Sequence, residues 1–463
     1  MKRKKSSQQT ISATHSDLPD ECWESIFKLV VKGKDENNNR RNLNYLSVVS
    51  KQFLSITYRL RFSLNVYDPT ELRRLFQRYT NLTSINFSRS YTDLDKVLCI
   101  ISRFPLKLTS LNLSNQSTIP ANGLRAFSKS ITTLTSLTCS KFFSFNATDL
   151  ILIAECFPLL EELDLSYPSV CKNYNSYLDG VKALSKTLFK LRKVNLSGFP
   201  KIEQSLFHLL RNCKLLREVI MFGCKEITTI TKIASALRER PTLTSLSFST
   251  IPHRWYIPST FINSLVSLKG LTCLDLKYLE ISDELLYSTA REGLPLTSLV
   301  LQSCTGYSYV GMFCMLSKCQ KIQHLDLQNA IFLNDQHVIN LSLLLGDLVS
   351  INLSHCRKIT KSALFTLAKN CPSLCEIKME RIGNEIVENS ESSTELGVYP
   401  QLKSLYLCNN SWLSDENIIT FASIFPNLQL LDLSSCDRIS KAICQVLRRC
   451  CSIRHLNLAE FQE

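Results

Sequence analysis

Apolar residues recur along most of this chain in one short phrase, L-x-x-L-x-L, in which two inward positions alternate with polar neighbours. The phrase reads LTSINF at Leu82, LTSLNL at Leu108, LEELDL at Leu160 and LTCLDL at Leu271, and runs on to IRHLNL at Ile453. Fifteen copies follow one another at a mean spacing of about 26.5 residues, a period that signals a repeat array rather than a single compact core. Within a copy, Leu111 and Leu113 point one way from a short strand, while Ser110, Asn112 and Ser114 point the other. Between strands lies helical spacing, as at Leu150, Ile153, Ala154 and Phe157, or Leu364, Leu367 and Ala368. One strand cannot bury its own apolar face, so the coils are expected to stack into a curved parallel sheet covered by helices on one side.

Residues 17–64 do not follow the phrase. Asp17 to Val30 is an amphipathic helix by pattern, with Pro19 near its start, acids in its first turn, and Cys22, Ile26, Phe27 and Val30 on one face. A polar stretch, Lys32 to Asn42, separates it from a second helical pattern over Leu43 to Leu64. A module this small needs a neighbour to bury its apolar surface. The sequence therefore divides into a basic, disordered tail (1–16), a small all-helical module (17–64) and a solenoid of about 15 repeats (65–463). The fold class is α/β.

Composition sharpens this picture. With 12 Gly and 14 Pro, and 44% hydrophobic residues, collagen-like and low-complexity readings fall away. Nine of the 19 cysteines fall at two recurring repeat positions: one set ends a helix (Cys156, Cys213, Cys319, Cys371, Cys450), the other follows a strand (Cys224, Cys304, Cys356, Cys436). Zinc-type C-x-x-C pairs are absent, so these are expected to be buried thiols, with no metal and no cofactor. No apolar segment follows the basic start MKRKKSSQQT, and no run approaches the roughly 20 residues of a membrane span. An intracellular protein of the nucleus and/or cytoplasm is expected, without membrane association. Lys2 to Lys5 reads as a solvated tail, with nuclear import as the alternative.

The chain carries 54 Lys/Arg against 40 Asp/Glu, a formal charge of +14. Residues 1–64 hold 12 of the bases and 6 of the acids, and the remaining surplus is diffuse. The outward strand positions mix signs (Glu162, Asp164, Lys193, Asp275, Lys277, His324, Asp326, Glu376, Lys378), whereas a nucleic-acid groove wants a basic stripe. Phosphate loops, H-E-x-x-H and G-x-S-x-G are missing, and the seven histidines are scattered, so no catalytic constellation is expected.

The repeat phrase with its punctuating cysteines resembles the cysteine-containing subfamily of leucine-rich repeats. Leu18-Pro19-Asp20-Glu21, Ile26-Phe27-Lys28-Leu29-Val30 and Val49-Ser50-Lys51-Gln52-Phe53 resemble an F-box, with Ser50 and Phe53 where Cys and Trp are common. Together these regions are similar to F-box/leucine-rich-repeat proteins, plant members among them. That resemblance implies a substrate-recognition subunit of an SCF (Skp, cullin, F-box) ubiquitin ligase, non-catalytic itself. Its partners would be a Skp-type adaptor, through it a cullin-RING ligase, and a protein substrate held by the repeats. By resemblance, the adaptor contacts are Leu18, Pro19, Ile26, Phe27, Val49 and Phe53, with Glu21 and Lys51 at the polar edge. The alternative is a non-degradative interaction scaffold or a ligand-assisted receptor.

Substrate contacts are expected where a coil lengthens, because insertions in repeat arrays gather on one face. The coil from Leu160 inserts a stretch holding Tyr167, Tyr174 and Tyr177, and the coil from Leu243 inserts His253, Arg254, Trp255 and Tyr256 between two prolines. Trp, Tyr and Arg dominate interface hot spots. A third insertion, Arg381 to Val398, is acidic.

Overall fold

The computed structural model describes residues 18–31, 36–68, 70–90, 92–143, 145–169, 174–225, 230–251, 255–383 and 397–459. The basic tail (1–16), His253, Arg254 and most of the acidic insertion lie outside them, and of Tyr174 only the backbone is described. The chain forms two compact units. One ends at Leu113 and takes back Pro120–Leu134; the other holds Ser114–Ile119 and everything from Thr135 onward.

The first unit opens with three helices, α1 (Asp20–Val30), α2 (Glu36–Ser47) and α3 (Lys51–Arg59). Their core is Phe27, Leu43, Ile56 and Leu60, with Trp23, Val31, Leu46 and Phe53 packed around it. The Phe53 ring sits 4.7 Å from Trp23 and 4.8 Å from Phe27, so three aromatics from two helices interlock. Polar bonds fix the same pair of helices: Gln52 donates to Asp20 Oδ1 and Arg59 to Asp20 Oδ2, both at 3.0 Å. Ser50 caps α3, its Oγ accepting the Phe53 N–H at 3.0 Å.

Two expectations are corrected here. The polar stretch before Leu43 is partly helical, because the polar residues share α2 with Leu43, which supplies its buried face. The pattern from Leu43 to Leu64 is not one helix: it breaks before Ser50, and its last residues form a strand, Ser63–Asn65. That strand pairs in parallel with Ser84–Asn86, Leu64 opposite Ile85, and Ser84–Asn86 pairs with Ser110–Asn112. The sheet thus begins one coil before the first full phrase, in a copy with Arg61 where later copies have Leu or Ile.

In the second unit, strands run from Ser136–Thr138 to His455–Asn457, each paired in parallel with the strand one coil on. Most are three residues long. Inward side chains such as Leu163, Leu299 and Leu301 are buried, and helices such as Ala147–Cys156 and Lys361–Asn370 cover them with their apolar faces. Pairing extends past many of the strands through a residue in the left-handed region: Lys141 N–H donates to Ser166 O at 2.7 Å, and His355 N–H to Glu380 O at 2.7 Å. Helix starts are stitched likewise, Asp283, Asp335 and Asp415 each accepting both the N–H and the hydroxyl of the residue one coil on, Ser308, Thr360 and Ser440. Repeat stability is therefore a sum of neighbour terms.

The cysteines join this stitching. Cys224, Cys304, Cys356 and Cys436 donate to carbonyls of the preceding coil (Leu196, Leu276, Leu327 and Leu407), as do Cys213, Cys371 and Cys450 to Ser185, Ser342 and Ala422. Burial pushes the thiols of Cys213, Cys224, Cys304, Cys356 and Cys371 up to about 12. All described cysteines are free, and no group of three or more His, Cys, Asp or Glu among the described residues could hold a metal.

Candidate functional site

On the three N-terminal helices and the short segments flanking them, the aromatic core faces inward and a second apolar set is left uncovered. Leu18, Ile26, Leu29, Val30, Tyr45, Val48 and Val49 are exposed, Val49 by 64%. Among the residues expected to contact an adaptor, Leu18, Pro19, Glu21, Ile26, Val49 and Lys51 all reach the surface. Phe27 does not. At 1% exposure it is the centre of the helical core, and half-buried Phe53 packs on it. The expected contact through Phe27 is therefore corrected, since Phe27 is a core residue: the i, i+4, i+5 spacing that placed it beside Ile26 reaches from the exposed side of the helix into its buried arc.

The expected substrate residues separate in the same way. Tyr167 is exposed at the end of a strand, in the left-handed region, its ring lying where a Cβ on Gly198 would clash. Trp255 and Tyr256 are not a free loop: they form a short strand paired with Leu279–Glu280, and the Ile257 N–H donates to Glu280 O at 2.9 Å. Trp255 is half-buried, and Tyr256 is 52% exposed. Tyr177 is corrected to a core residue. It is 6% exposed, its hydroxyl donates to Phe145 O at 2.6 Å, and its ring meets Phe199 edge-on at 5.3 Å. The helix Tyr174–Thr187 carries it inward, which the insertion count could not show.

The open face of the sheet in the second unit, turned away from the helices, carries a feature that the strand pattern only hinted at. Its outward positions hold the acids Glu162, Asp164, Glu218, Asp275, Asp326, Glu376, Glu380 and Asp432. The lysines there are Lys193, Lys277 and Lys378, and each is tied to an acid of the same face: Glu218 at 2.8 Å, Asp275 at 3.5 Å and Glu376 at 3.4 Å. A protein of net positive charge thus presents an acidic floor.

Three of these aspartates are fully used. Asp164, Asp326 and Asp432 each accept, on Oδ1, the N–H two residues on (Ser166, Gln328, Ser434) and, on Oδ2, the side-chain amide of the next coil (Asn195, Asn352, Asn457), all within 2.8–3.0 Å. Asp275 stands in the same row with neither bond. Its strand, Cys273–Lys277, runs two residues further and stays in register with Ser245–Ile251, so the Lys277 backbone cannot turn back to it. The cross-strand neighbour is Val300 rather than Asn. Oδ1 is buried without a hydrogen-bond partner. Burial pushes the carboxyl up to about 6, with Lys277 opposing and Asp326 adding to the shift. The Lys277 ammonium sits 4.7 Å over the Phe222 ring.

No family model matches the chain. Among solved structures it is similar to a chain of the yeast complex of Rad7 and Elc1, at 17% identity with a TM-score of 0.53, over 91% of this chain and 90% of that one. It also aligns with an internalin, InlF, from Listeria monocytogenes, at 16% identity over 95% of both chains with a TM-score of 0.33. The first likeness and the strand-and-helix coils agree on the fold, a solenoid of leucine-rich-repeat type.

Proposed function

We propose that the chain is a receptor subunit of an SCF-type ubiquitin ligase, with α1–α3 as an F-box that docks a Skp-type adaptor and the repeats holding the protein to be modified. The observation that carries this reading is the division of labour within α1–α3. One apolar set closes a core around Phe27, and a second, with Leu18, Ile26, Val48 and Val49, is open to a partner. An apolar helical surface of this kind suits burial in a partner's groove. The likeness to a chain solved in the Rad7–Elc1 complex is in keeping with an adaptor role. Ubiquitin transfer would then belong to the cullin-RING partners, this chain contributing proximity. Intracellular placement goes with that role, and no described helix is long and apolar enough to cross a membrane.

The test is co-purification of the adaptor and cullin with the tagged chain. Ile26→Asp with Val49→Asp, both at exposed positions, should abolish capture of both partners and leave the helical content unchanged. Wild-type chain that captures adaptor without cullin would refute the ligase role, and undiminished capture by the double variant would refute the assigned surface.

A further inference from the structure

The acidic floor and its one unsatisfied aspartate point to the same ligand chemistry. All three lysines of the floor are already neutralised by acids beside them, so the remaining carboxylates set its sign. The row just before the strands is basic, with Arg192, Arg217, Lys403 and Arg454 against Glu161, which confines the acidic character to the floor itself. At its centre, Asp275 keeps an acceptor oxygen with no donor, which is a costly arrangement for a buried polar atom. Beside it the Phe222 ring offers its negative face to a cation. That half-cage is filled by the chain's own Lys277, whose contact with Asp275 is long at 3.5 Å.

We infer that the open face binds a Lys- or Arg-bearing segment of a protein partner, one cationic side chain entering between Phe222 and Asp275 and displacing the Lys277 ammonium. An arginine fits best, since its fork can donate to both carboxylate oxygens while its plane stacks on the ring. Other acids of the floor, Glu380 among them, would meet further basic residues of the segment, steering its approach and fixing its register. The inference rests on the receptor reading only in calling that partner a substrate.

The probes are a fluorescent Gly–Ser peptide rich in Arg and Lys, and its Asp/Glu counterpart, titrated by anisotropy against the full chain. The basic peptide should bind, and more tightly than the acidic one, whereas net charge alone would favour the acidic one. Asp275→Asn should weaken the basic peptide by about five- to tenfold, the range of a lost charge-assisted contact. Lys277→Met should strengthen it about threefold by emptying the half-cage. Thermal melts on both variants separate binding from folding. Preference for the acidic peptide, or Asp275→Asn and Lys277→Met leaving affinity unchanged in folded protein, would overturn the inference. Adaptor capture scored on the same preparations keeps the two readings apart: adaptor bound without peptide sinks only this inference, and peptide bound without adaptor sinks only the ligase role.

Discussion

Asp275 and Lys277 leave one strand on the same face, and their Oδ2 and Nζ atoms stand 3.5 Å apart, yet the lysine leaves Asp275 Oδ1 without a partner. The carboxyl, raised to about 6, holds its proton in the folded state at pH values where the unfolded chain has lost it. The folded state therefore binds more protons between roughly pH 4 and 6, and this group's contribution to stability falls as pH rises through that window. Asp275→Asn should remove the fall and raise stability at neutral pH by about 1 to 2 kcal/mol, after discounting for the open side of the site. Denaturant melts at pH 4.5 and 7 would check it: the variant and wild type should differ more at the higher pH.

The stitching thiols should be inert in the folded protein. The thiolate is the reactive form, and burial suppresses it at Cys213, Cys224, Cys304, Cys356 and Cys371. Alkylation followed by peptide mass spectrometry should label exposed Cys22, Cys444 and Cys451 first. The buried set should label only after denaturation. Cys356→Ala, which also removes the bond to Leu327 O, should lower stability by about 1 to 2 kcal/mol.

Lys141 has φ 56°, a conformation that places Cβ against the following carbonyl, and its side chain is exposed. Its N–H bond to Ser166 O holds it there. Lys141→Gly should stabilise by a few tenths to about 1 kcal/mol, relief of the steric term outweighing glycine's extra chain entropy. Lys141→Val should destabilise, since branching at Cβ worsens the same clash. Chemical denaturation of the pair reads the sign directly.

Tyr177→Phe separates the core role of that residue from the surface role its sequence neighbourhood suggested. Losing the hydroxyl bond to Phe145 O should cost about 1 kcal/mol in a thermal melt. Partner capture should be unaffected, because the hydroxyl faces inward.

Much of the fold was legible because the repeat phrase couples a period of two to a fixed start. Once Leu108, Leu111 and Leu113 are set in phase, the strand, its inward face and its neighbours follow, and all fifteen phrases coincide with strands. The strand at Ser63 escaped because Arg61 breaks the phrase while Leu64 and Val66 keep it. The break before α3 was marked by Ser50, a capping residue that reads first as a departure from the F-box pattern.

The candidate surfaces were less legible. Exposure in α1 depends on which side of a narrow buried arc a residue falls, and adjacent Ile26 and Phe27 fall on opposite sides. Tyr167 and Tyr177 belong to the same insertion, yet they differ because one follows a strand and the other rides a helix.

By itself the sequence determined the parallel repeat architecture, the buried role of most cysteines at the two repeat positions and the outward residues of every strand, since each follows from a local period repeated in phase. Only the tertiary structure decided which outward residues satisfy one another. Asp164, Asp326 and Asp432 find an amide one coil away, while Asp275 meets Val300 on a strand two residues too long. A partner supplied across coils is a relation between segments 25 or more residues apart, and no local pattern of one coil encodes whether it is present.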